Sequence, residues 1–222
     1  NIPEITKAGK KVGAVVGFDL AHAAGNVRLK LHEWDVDFAV WCGYKYLNSG
    51  PGGVSGVFVN ERHSNNPDLP RFAGWWGHKE SERFMMKKGY IPEHGAAGWQ
   101  LSNAPVITMA VHNASLEIFV EAGMEALTEK SKLLTSYLQF VIEESLKENK
   151  NLNLRIITPE ERGCQISILT GSEGKELFDH LSKLGIVADW REPNVIRIAP
   201  VPLYNGFNDV YRFGQGLTGF LK

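Results

Sequence analysis

The sequence has few cysteines, no long apolar run and no excess of charge of either sign. Its 222 residues include only two cysteines, Cys42 and Cys164, which are too few for a disulfide framework and are typical of a reducing cytoplasm. No segment approaches the roughly 18 consecutive apolar residues that a membrane-spanning helix needs, and no signal peptide is visible. The 24 basic and 25 acidic residues nearly cancel, so we expect neither nucleic acid nor a membrane as a partner.

The composition is that of a globular protein. Hydrophobic residues make up 43% of the chain and charged residues 22%, and the length suffices for one large domain or two small ones. The chain begins at Asn1 rather than at a methionine, within a pattern that indicates the end of a helix. We therefore expect it to be the C-terminal part of a longer protein.

The first part of the chain alternates helical and strand patterns. A helical pattern over 3–11 precedes apolar strand patterns, which lie at 14–18, 34–42 and 54–60. An irregular stretch over 61–98 is too long for a simple connection, which indicates a functional loop. Ser102 or Asn103 can cap the next helix, which Pro105 begins and Gly123 ends. This order predicts an α/β fold with a mainly parallel sheet, and we assign it to residues 1–124.

The second part, residues 125–222, reads as a small α+β domain joined to the first by a long helix. The helical patterns lie at 125–145, 175–184 and 209–221. The strand patterns lie at 154–157, 164–169, 186–188 and 195–199. We find neither internal repeats nor a low-complexity tract, and no cluster of side chains that predicts a metal site.

Charged side chains follow two consecutive strands of the first part. Asp19 ends one strand, and Lys45 follows the apolar run 38–42 and precedes a glycine-rich loop. Open α/β sheets bind ligands at the carboxyl ends of their strands, so an amine and a carboxylate facing one crevice suit pyridoxal phosphate. The lysine would bond to the cofactor, and the carboxylate would pair with its pyridinium nitrogen. A structural ion pair, or two unrelated side chains pointing into water, fits the same pattern.

Six sequence blocks resemble the kynureninase family of fold-type I pyridoxal-phosphate enzymes. They are FDLAHAAGN at 18–26, WCGYKYLN at 41–48, GWWGH at 74–78, LSN at 101–103, ERGCQ at 161–165 and IRIAPVPLYN at 196–205. The blocks follow the family's order and extend over nearly the whole chain. The resemblance implies the C-terminal half of a transferase-like large domain, followed by a small α+β domain.

The resemblance implies roles for four residues near the two strand ends. Lys45 would carry the cofactor covalently, and Asp19 would hold the pyridinium nitrogen. His22 would lie near the cofactor ring, although an ordinary polar turn also explains a histidine there. Tyr44 would donate its hydroxyl to the phosphate and serve as a proton donor, although an aromatic residue at a sheet edge fits the same position.

Further site residues follow from the later blocks. Trp75, through its indole N–H, and Asn103 match cofactor contacts that in this fold often come from a partner subunit, which implies a homodimer. Ser102 and Asn103 would also contact the substrate. Arg197 interrupts an apolar strand and would bind the substrate α-carboxylate with two parallel hydrogen bonds. Without the resemblance, Trp75 is interpreted as a core or interface residue and Asn103 as a helix cap. Arg197 is then interpreted as a residue on the exposed face of an alternating strand.

The implied activity is a pyridoxal-phosphate-dependent hydrolysis of a C–C bond. L-kynurenine, or its 3-hydroxy form, would give anthranilate or 3-hydroxyanthranilate and L-alanine, a reaction of tryptophan catabolism and NAD biosynthesis. One alternative is another lyase or aminotransferase of this fold, such as a cysteine desulfurase. That alternative requires a mobile reactive cysteine, whereas Cys42 and Cys164 both fall in strand patterns. The other alternative is a chain that folds or binds pyridoxal phosphate without being active by itself.

Overall fold

The computed structural model describes residues 1–64, 66–149 and 152–220. Within these ranges the chain forms two compact units, Asn1–Val120 and Glu121–Lys222. The domain boundary at 124/125 stays a prediction. None of the helices within the described ranges is long and apolar enough to cross a membrane.

The first unit contains a three-stranded sheet. Its first elements are helix α1 (Ile2–Lys11) and strands β1 (Gly17–Asp19), β2 (Phe38–Cys42) and β3 (Ser55–Val59). Strand β1 pairs with β2 in parallel and β2 pairs with β3 antiparallel, so the order is β1-β2-β3. The Asn1 side chain accepts the Glu4 N–H at 3.3 Å and caps α1. Leu20, Val36 and Ala39 are buried in the small core beside the sheet.

The strands are shorter than the apolar runs that predicted them. The run at 14–18 forms pairs only from Gly17 onwards, and the run at 34–42 becomes a strand only at Phe38. Asp35 has a φ of 57°, which is a left-handed conformation. An extended strand therefore begins only after Asp35. Within β2, Ala39 is fully buried whereas Val40 is 43% exposed, so one face of this sheet is open within the described residues.

The stretch over 61–98 is held in place by short helical turns. Helices α2 (Glu61–Ser64) and α3 (Glu80–Arg83) and two 3-10 turns (Trp75–Gly77 and Gly95–Trp99) lie at intervals along it. The buried Arg83 side chain donates to the Trp76 carbonyl at 2.9 Å and the His78 carbonyl at 3.0 Å. The same guanidinium lies 4.3 Å from the centroid of the Trp76 ring. The loop therefore has a defined conformation.

Helix α4 (Val106–Ala122) follows this loop, and Gly123, with a φ of 75°, separates it from the next helix as predicted. The prediction that Ser102 or Asn103 caps this helix is wrong. Because α4 begins only at Val106, the residue directly before the helix is Pro105.

The second unit packs three helices against one face of an antiparallel sheet. Its elements are α5 (Met124–Glu148), β4 (Leu154–Ile156), β5 (Ile166–Thr170), α6 (Gly174–Lys183), β6 (Asp189–Arg191), β7 (Val195–Ile198) and α7 (Phe207–Gly219). The strand order is β4-β5-β7-β6. Leu138 from α5, Leu181 from α6 and Phe213 from α7 meet Ile168 and Ile196 of the sheet in one core.

Most elements of this unit lie where the sequence predicted them, with one exception. The strand predicted at 186–188 is wrong: Ile186 and Ala188 pack against the core, and the chain pairs with β7 only from Asp189 to Arg191. Strand β5 begins two residues later than expected, at Ile166, which leaves the buried Cys164 before the strand. The end of the helix predicted at 209–221 reaches a residue outside the described ranges.

Candidate active site

The loop that follows β2 holds Lys45 close to the end of its strand. The Gly43 N–H donates to the Val54 carbonyl at 3.1 Å, and the Ser49 N–H donates to the Gly43 carbonyl at 3.1 Å. The Lys45 carbonyl accepts the Asn48 N–H at 3.0 Å, which closes a tight turn around the lysine. The Lys45 side chain is half-buried, and its Nζ lies 5.6 Å from the centroid of the Tyr44 ring. These bonds fix the backbone from which the amine projects.

Asp19 lies at the end of the neighbouring parallel strand. The β1–β2 register sets Asp19 opposite Val40, which confirms that the two strands are neighbours. One carboxylate oxygen of Asp19, Oδ1, accepts the Ala21 N–H at 2.9 Å, and the residue is exposed within the described ranges. A carboxylate accepts hydrogen bonds on both of its oxygens, so Oδ2 can accept a further donor.

The loops after β1 and β2 are in direct contact. The Cys42 Sγ lies 3.8 Å from the Ala21 carbonyl oxygen, and the His22 and Tyr46 rings meet edge to face at 6.0 Å. Gly25 has a φ of 79°, and a Cβ at this position would lie 2.7 Å from the Tyr46 carbonyl oxygen. The structure therefore brings the segment with Asp19 and His22 together with the segment with Tyr44 and Lys45.

The chemistry of these side chains fits pyridoxal phosphate. The cofactor needs an amine that bonds to its aldehyde carbon and a carboxylate that stabilises its protonated ring nitrogen. Lys45 and Asp19 supply these groups from adjacent parallel strands. The exposed phenol of Tyr44, next in sequence to the lysine, supplies a hydrogen-bond donor for a phosphate.

Helix α4 supports the lysine loop from behind, a contribution that the sequence did not reveal. The buried Ser115 hydroxyl donates to the Leu47 carbonyl at 2.5 Å, and a Cβ on Gly43 would lie 3.2 Å from the His112 ring. His112, Ser115 and Phe119 recur at helical spacing and share the inner face of α4. Because α4 also carries Thr108, Asn113 and Glu117, no pattern in the sequence distinguishes Ser115.

Trp75, Ser102 and Asn103 form a second group in the same unit. The Gly77 N–H, in the turn that contains Trp75, donates to the Gln100 carbonyl at 3.1 Å, so the two segments are held side by side. The three side chains are exposed, and Trp75 packs edge to face against Phe84 at 5.6 Å. Within the described residues, no hydrogen bond or ring contact joins this group to Lys45.

Arg197 lies in the second unit, on the face of its sheet opposite the helices. Its neighbours Ile196 and Ile198 are buried in the core, whereas the Arg197 side chain is 22% exposed. Strand pairing places it between Ser167 on one side and Asp189 on the other. Its Nε and Nη2 both donate to Asp189 Oδ2. The cost of burying this arginine is therefore offset by a carboxylate.

A second carboxylate network lies at the opposite end of β2 from the lysine. Buried Asp37 accepts the Val16 N–H at 2.7 Å, the Arg62 Nη2 at 2.6 Å and the His63 Nε2 at 2.7 Å. Burial raises the pKa of the Asp37 carboxyl, but the Val16, His63 and Arg62 bonds lower it by more, so its pKa lies well below the usual range. We infer that this network stabilises the fold and takes no part in the chemistry at Lys45.

The two cysteines are not on mobile loops. Cys42 is the last residue of β2 and pairs with Ser55, and Cys164 is fully buried. Neither forms a disulfide bond. Neither has the exposed and flexible setting of a cysteine that acts as a nucleophile.

Comparisons with known proteins identify relatives of this chain. The model of the kynureninase C-terminal domain matches residues 127–217. A kynureninase from Flavobacterium johnsoniae is 58% identical over 97% of this chain and 51% of its own length. The chain thus spans about half the length of the curated relatives it matches.

Solved structures confirm the predicted fold class. A cysteine desulfurase from Escherichia coli has a TM-score of 0.76 and 18% identity, over 100% of this chain and 55% of its own. A C-DES variant with glycine covalently linked to its pyridoxal-phosphate cofactor has a TM-score of 0.64 and 16% identity, over 90% of this chain and 50% of its own. At such identities the likeness shows the fold alone.

The alignment with curated kynureninases extends over nearly all of the chain at 52–58% identity. Distant structural neighbours share only the fold. The chain therefore belongs to the kynureninase family.

Proposed function

We propose that the whole protein is a kynureninase, which hydrolyses L-kynurenine or 3-hydroxykynurenine to L-alanine and anthranilate or 3-hydroxyanthranilate. The observation that carries the proposal is the placement of Asp19 and Lys45 at the ends of adjacent parallel strands whose loops are in contact. We place the protein in the cytoplasm, in tryptophan catabolism and NAD biosynthesis. Two cysteines that form no disulfide bond support a reducing compartment.

Four side chains of the first unit have proposed tasks at the cofactor. The Lys45 amine would hold the cofactor covalently and, as a free amine, would remove the proton from the substrate Cα. The Asp19 carboxylate would accept a hydrogen bond from the protonated ring nitrogen. When bound, pyridoxal phosphate supplies the electron sink for the charge that develops on the substrate carbon atoms. The Tyr44 hydroxyl would donate a hydrogen bond to the phosphate and would act as a proton donor in the reaction. His22 would lie beside the cofactor ring.

The chain also supplies groups for the substrate. The Arg197 guanidinium binds the α-carboxylate with two parallel hydrogen bonds. Water adds to the side-chain carbonyl carbon, and the Cβ–Cγ bond then breaks. The aryl carboxylate leaves, and alanine remains after Cβ is protonated. Atoms balance, because one water supplies the hydroxyl of the acid and one hydrogen of the alanine methyl group.

A cysteine desulfurase is the runner-up, and no specific observation favours it. The structural neighbours of that class share only the fold with this chain at 18% identity. A desulfurase also needs a reactive thiol that reaches the substrate, whereas Cys164 is fully buried and Cys42 ends a strand. Release of sulfide from L-cysteine, without release of anthranilate from kynurenine, would favour this alternative.

The Lys45→Ala variant of the whole protein tests the proposal. We expect it to lose both turnover and covalent attachment of the cofactor. Anthranilate fluorescence measures turnover, and borohydride reduction followed by peptide mass mapping locates the attachment. Lys11→Ala is the matched control, since Lys11 is exposed at the end of α1. Attachment at another lysine, or retention of turnover in Lys45→Ala, would refute the assignment.

We further propose a homodimer in which Trp75, Ser102 and Asn103 complete the partner's site. The exposure of these side chains, and the absence of a described contact between them and Lys45, support this assignment. Sedimentation tests the dimer. Complementation tests the shared site. In an equal mixture of Lys45→Ala and Asn103→Ala subunits, about half of the dimers would be hybrids, and each hybrid would carry one intact site of its two. The mixture would therefore recover about a quarter of wild-type turnover. No recovery, despite exchange of subunits, would contradict shared sites.

A further inference from the structure

The contact between Arg197 and Asp189 determines which N–H groups of the arginine stay available. Both Nε and Nη2 donate to one carboxylate oxygen, Asp189 Oδ2. A guanidinium has five N–H groups, so two on Nη1 and one on Nη2 remain without a hydrogen bond to the described residues. The outward pair on Nη1 and Nη2 forms a second parallel fork, which a carboxylate accepts in bidentate fashion.

The backbone around this contact is firmly held. Asp189 and Arg197 are directly opposite residues in the β6–β7 ladder, so strand pairing sets the distance between their Cα atoms. Ile196 and Ile198, on either side of Arg197, are buried in the core. The guanidinium therefore extends from a rigid strand, and Asp189 determines its final orientation.

A second arginine keeps the charge of this cluster positive. The Arg191 Nε lies 3.1 Å from the same Asp189 Oδ2. Two guanidinium groups against one carboxylate leave a net charge of about +1, whereas an isolated arginine–aspartate pair would be neutral. The free fork of Arg197 therefore still attracts an anion.

We propose that Asp189 is a positioning residue, which fixes the Arg197 guanidinium so that its Nη1–Nη2 fork binds the α-carboxylate of the substrate. The inference rests on the proposed function, because it takes the substrate to be an amino acid. Asp189 contacts the arginine and not the substrate. Without Asp189, the guanidinium rotates among several orientations, and carboxylate binding has to restrict that freedom again.

Two analogues of kynurenine separate this role from a general structural one. The first, the deaminated acid, lacks the α-amino group and keeps the α-carboxylate. The second, the decarboxylated amine, lacks the α-carboxylate and keeps the α-amino group. In the whole protein with cofactor bound, we expect Asp189→Asn to weaken acid binding, measured by calorimetry, about 10- to 100-fold. Amine binding stays unchanged, and KM for kynurenine rises with little change in kcat. Equal weakening of both analogues, or unchanged acid binding, would overturn the inference.

Control variants define the reference. Asp179→Asn removes an exposed aspartate that pairs with Lys175 on α6, and we expect it to leave acid binding unchanged. In an Arg197→Ala background, Asp189→Asn should cause no further loss of acid binding, because the aspartate acts through the arginine. A further loss of acid binding in the Arg197→Ala background would show that Asp189 does not act through Arg197.

If Asp189→Asn fails to fold, Asp189→Glu provides the same test, since it keeps the charge but moves the oxygen by one methylene. Acid binding should then weaken selectively, and unchanged acid binding would reject the inference. Wild-type protein that binds the acid but does not cleave kynurenine would refute the proposed function separately.

Discussion

Replacement of Asp37 by asparagine should destabilise the protein by about 2–4 kcal/mol at pH 7. The carboxylate is 4% exposed and accepts N–H groups from Val16, Arg62 and His63. Loss of one partner of a buried ion pair costs about 3–5 kcal/mol. The Arg62 and His63 side chains are 35% and 26% exposed, so solvent screening reduces that figure.

Urea unfolding followed by circular dichroism measures the loss. Asp35→Asn is the matched control, because Asp35 pairs with the same Arg62 but has a side chain that is 57% exposed. Its loss should be much smaller, since exposed ion pairs contribute little. The comparison therefore isolates the effect of burial.

The difference between wild type and Asp37→Asn should depend on pH. Because the folded pKa of the Asp37 carboxyl lies below its unfolded value of about 3.9, the carboxylate contributes its full stabilisation at neutral pH. Its contribution is lost as the pH falls below about 5 toward the folded pKa, since the unfolded state then binds a proton that the folded state does not. The stability difference should therefore shrink from pH 7 to pH 3. A loss below about 0.5 kcal/mol at pH 7, or one that does not change with pH, would refute the reasoning.

Two further predictions concern the loop around Lys45. Ser115→Ala removes the hydrogen bond to the Leu47 carbonyl, and we expect faster amide hydrogen exchange in this loop with α4 intact; unchanged exchange would contradict the support assigned to α4. Gly25→Ala forces a Cβ to within 2.7 Å of the Tyr46 carbonyl oxygen at a positive φ, so thermal unfolding should show a loss of about 1–3 kcal/mol, and a neutral effect would show that the two loops can separate.

Local sequence signals predicted most of the helices and the strand ends. Gly123 adopts a positive φ between α4 and α5, and Gly185 does the same after α6, because glycine accepts that conformation without a steric cost. The Asp19 and Lys45 segments meet as predicted, since parallel strands that are neighbours end at the same edge of a sheet. These features depend on residues close in sequence or on a simple topological rule.

Features that depend on distant partners were missed or misplaced. The predicted strand at 186–188 is apolar enough, yet the ladder with β7 begins at Asp189, because pairing depends on the register of β7. The Ser115 contact with the lysine loop joins residues 68 positions apart, and no local pattern specifies it. The partners of Asp37 lie 21 to 26 positions away from it.

The sequence by itself determined the fold class, the family and the candidate residues at the strand ends, because these depend on local propensity and on blocks that relatives share. Only the tertiary structure decided which side chains meet. It placed Ser115 behind the lysine loop, Asp37 between Arg62 and His63, and Asp189 against Arg197. The physical reason is that hydrogen bonds and ion pairs form across strands and helices whose relative positions result from packing the whole core.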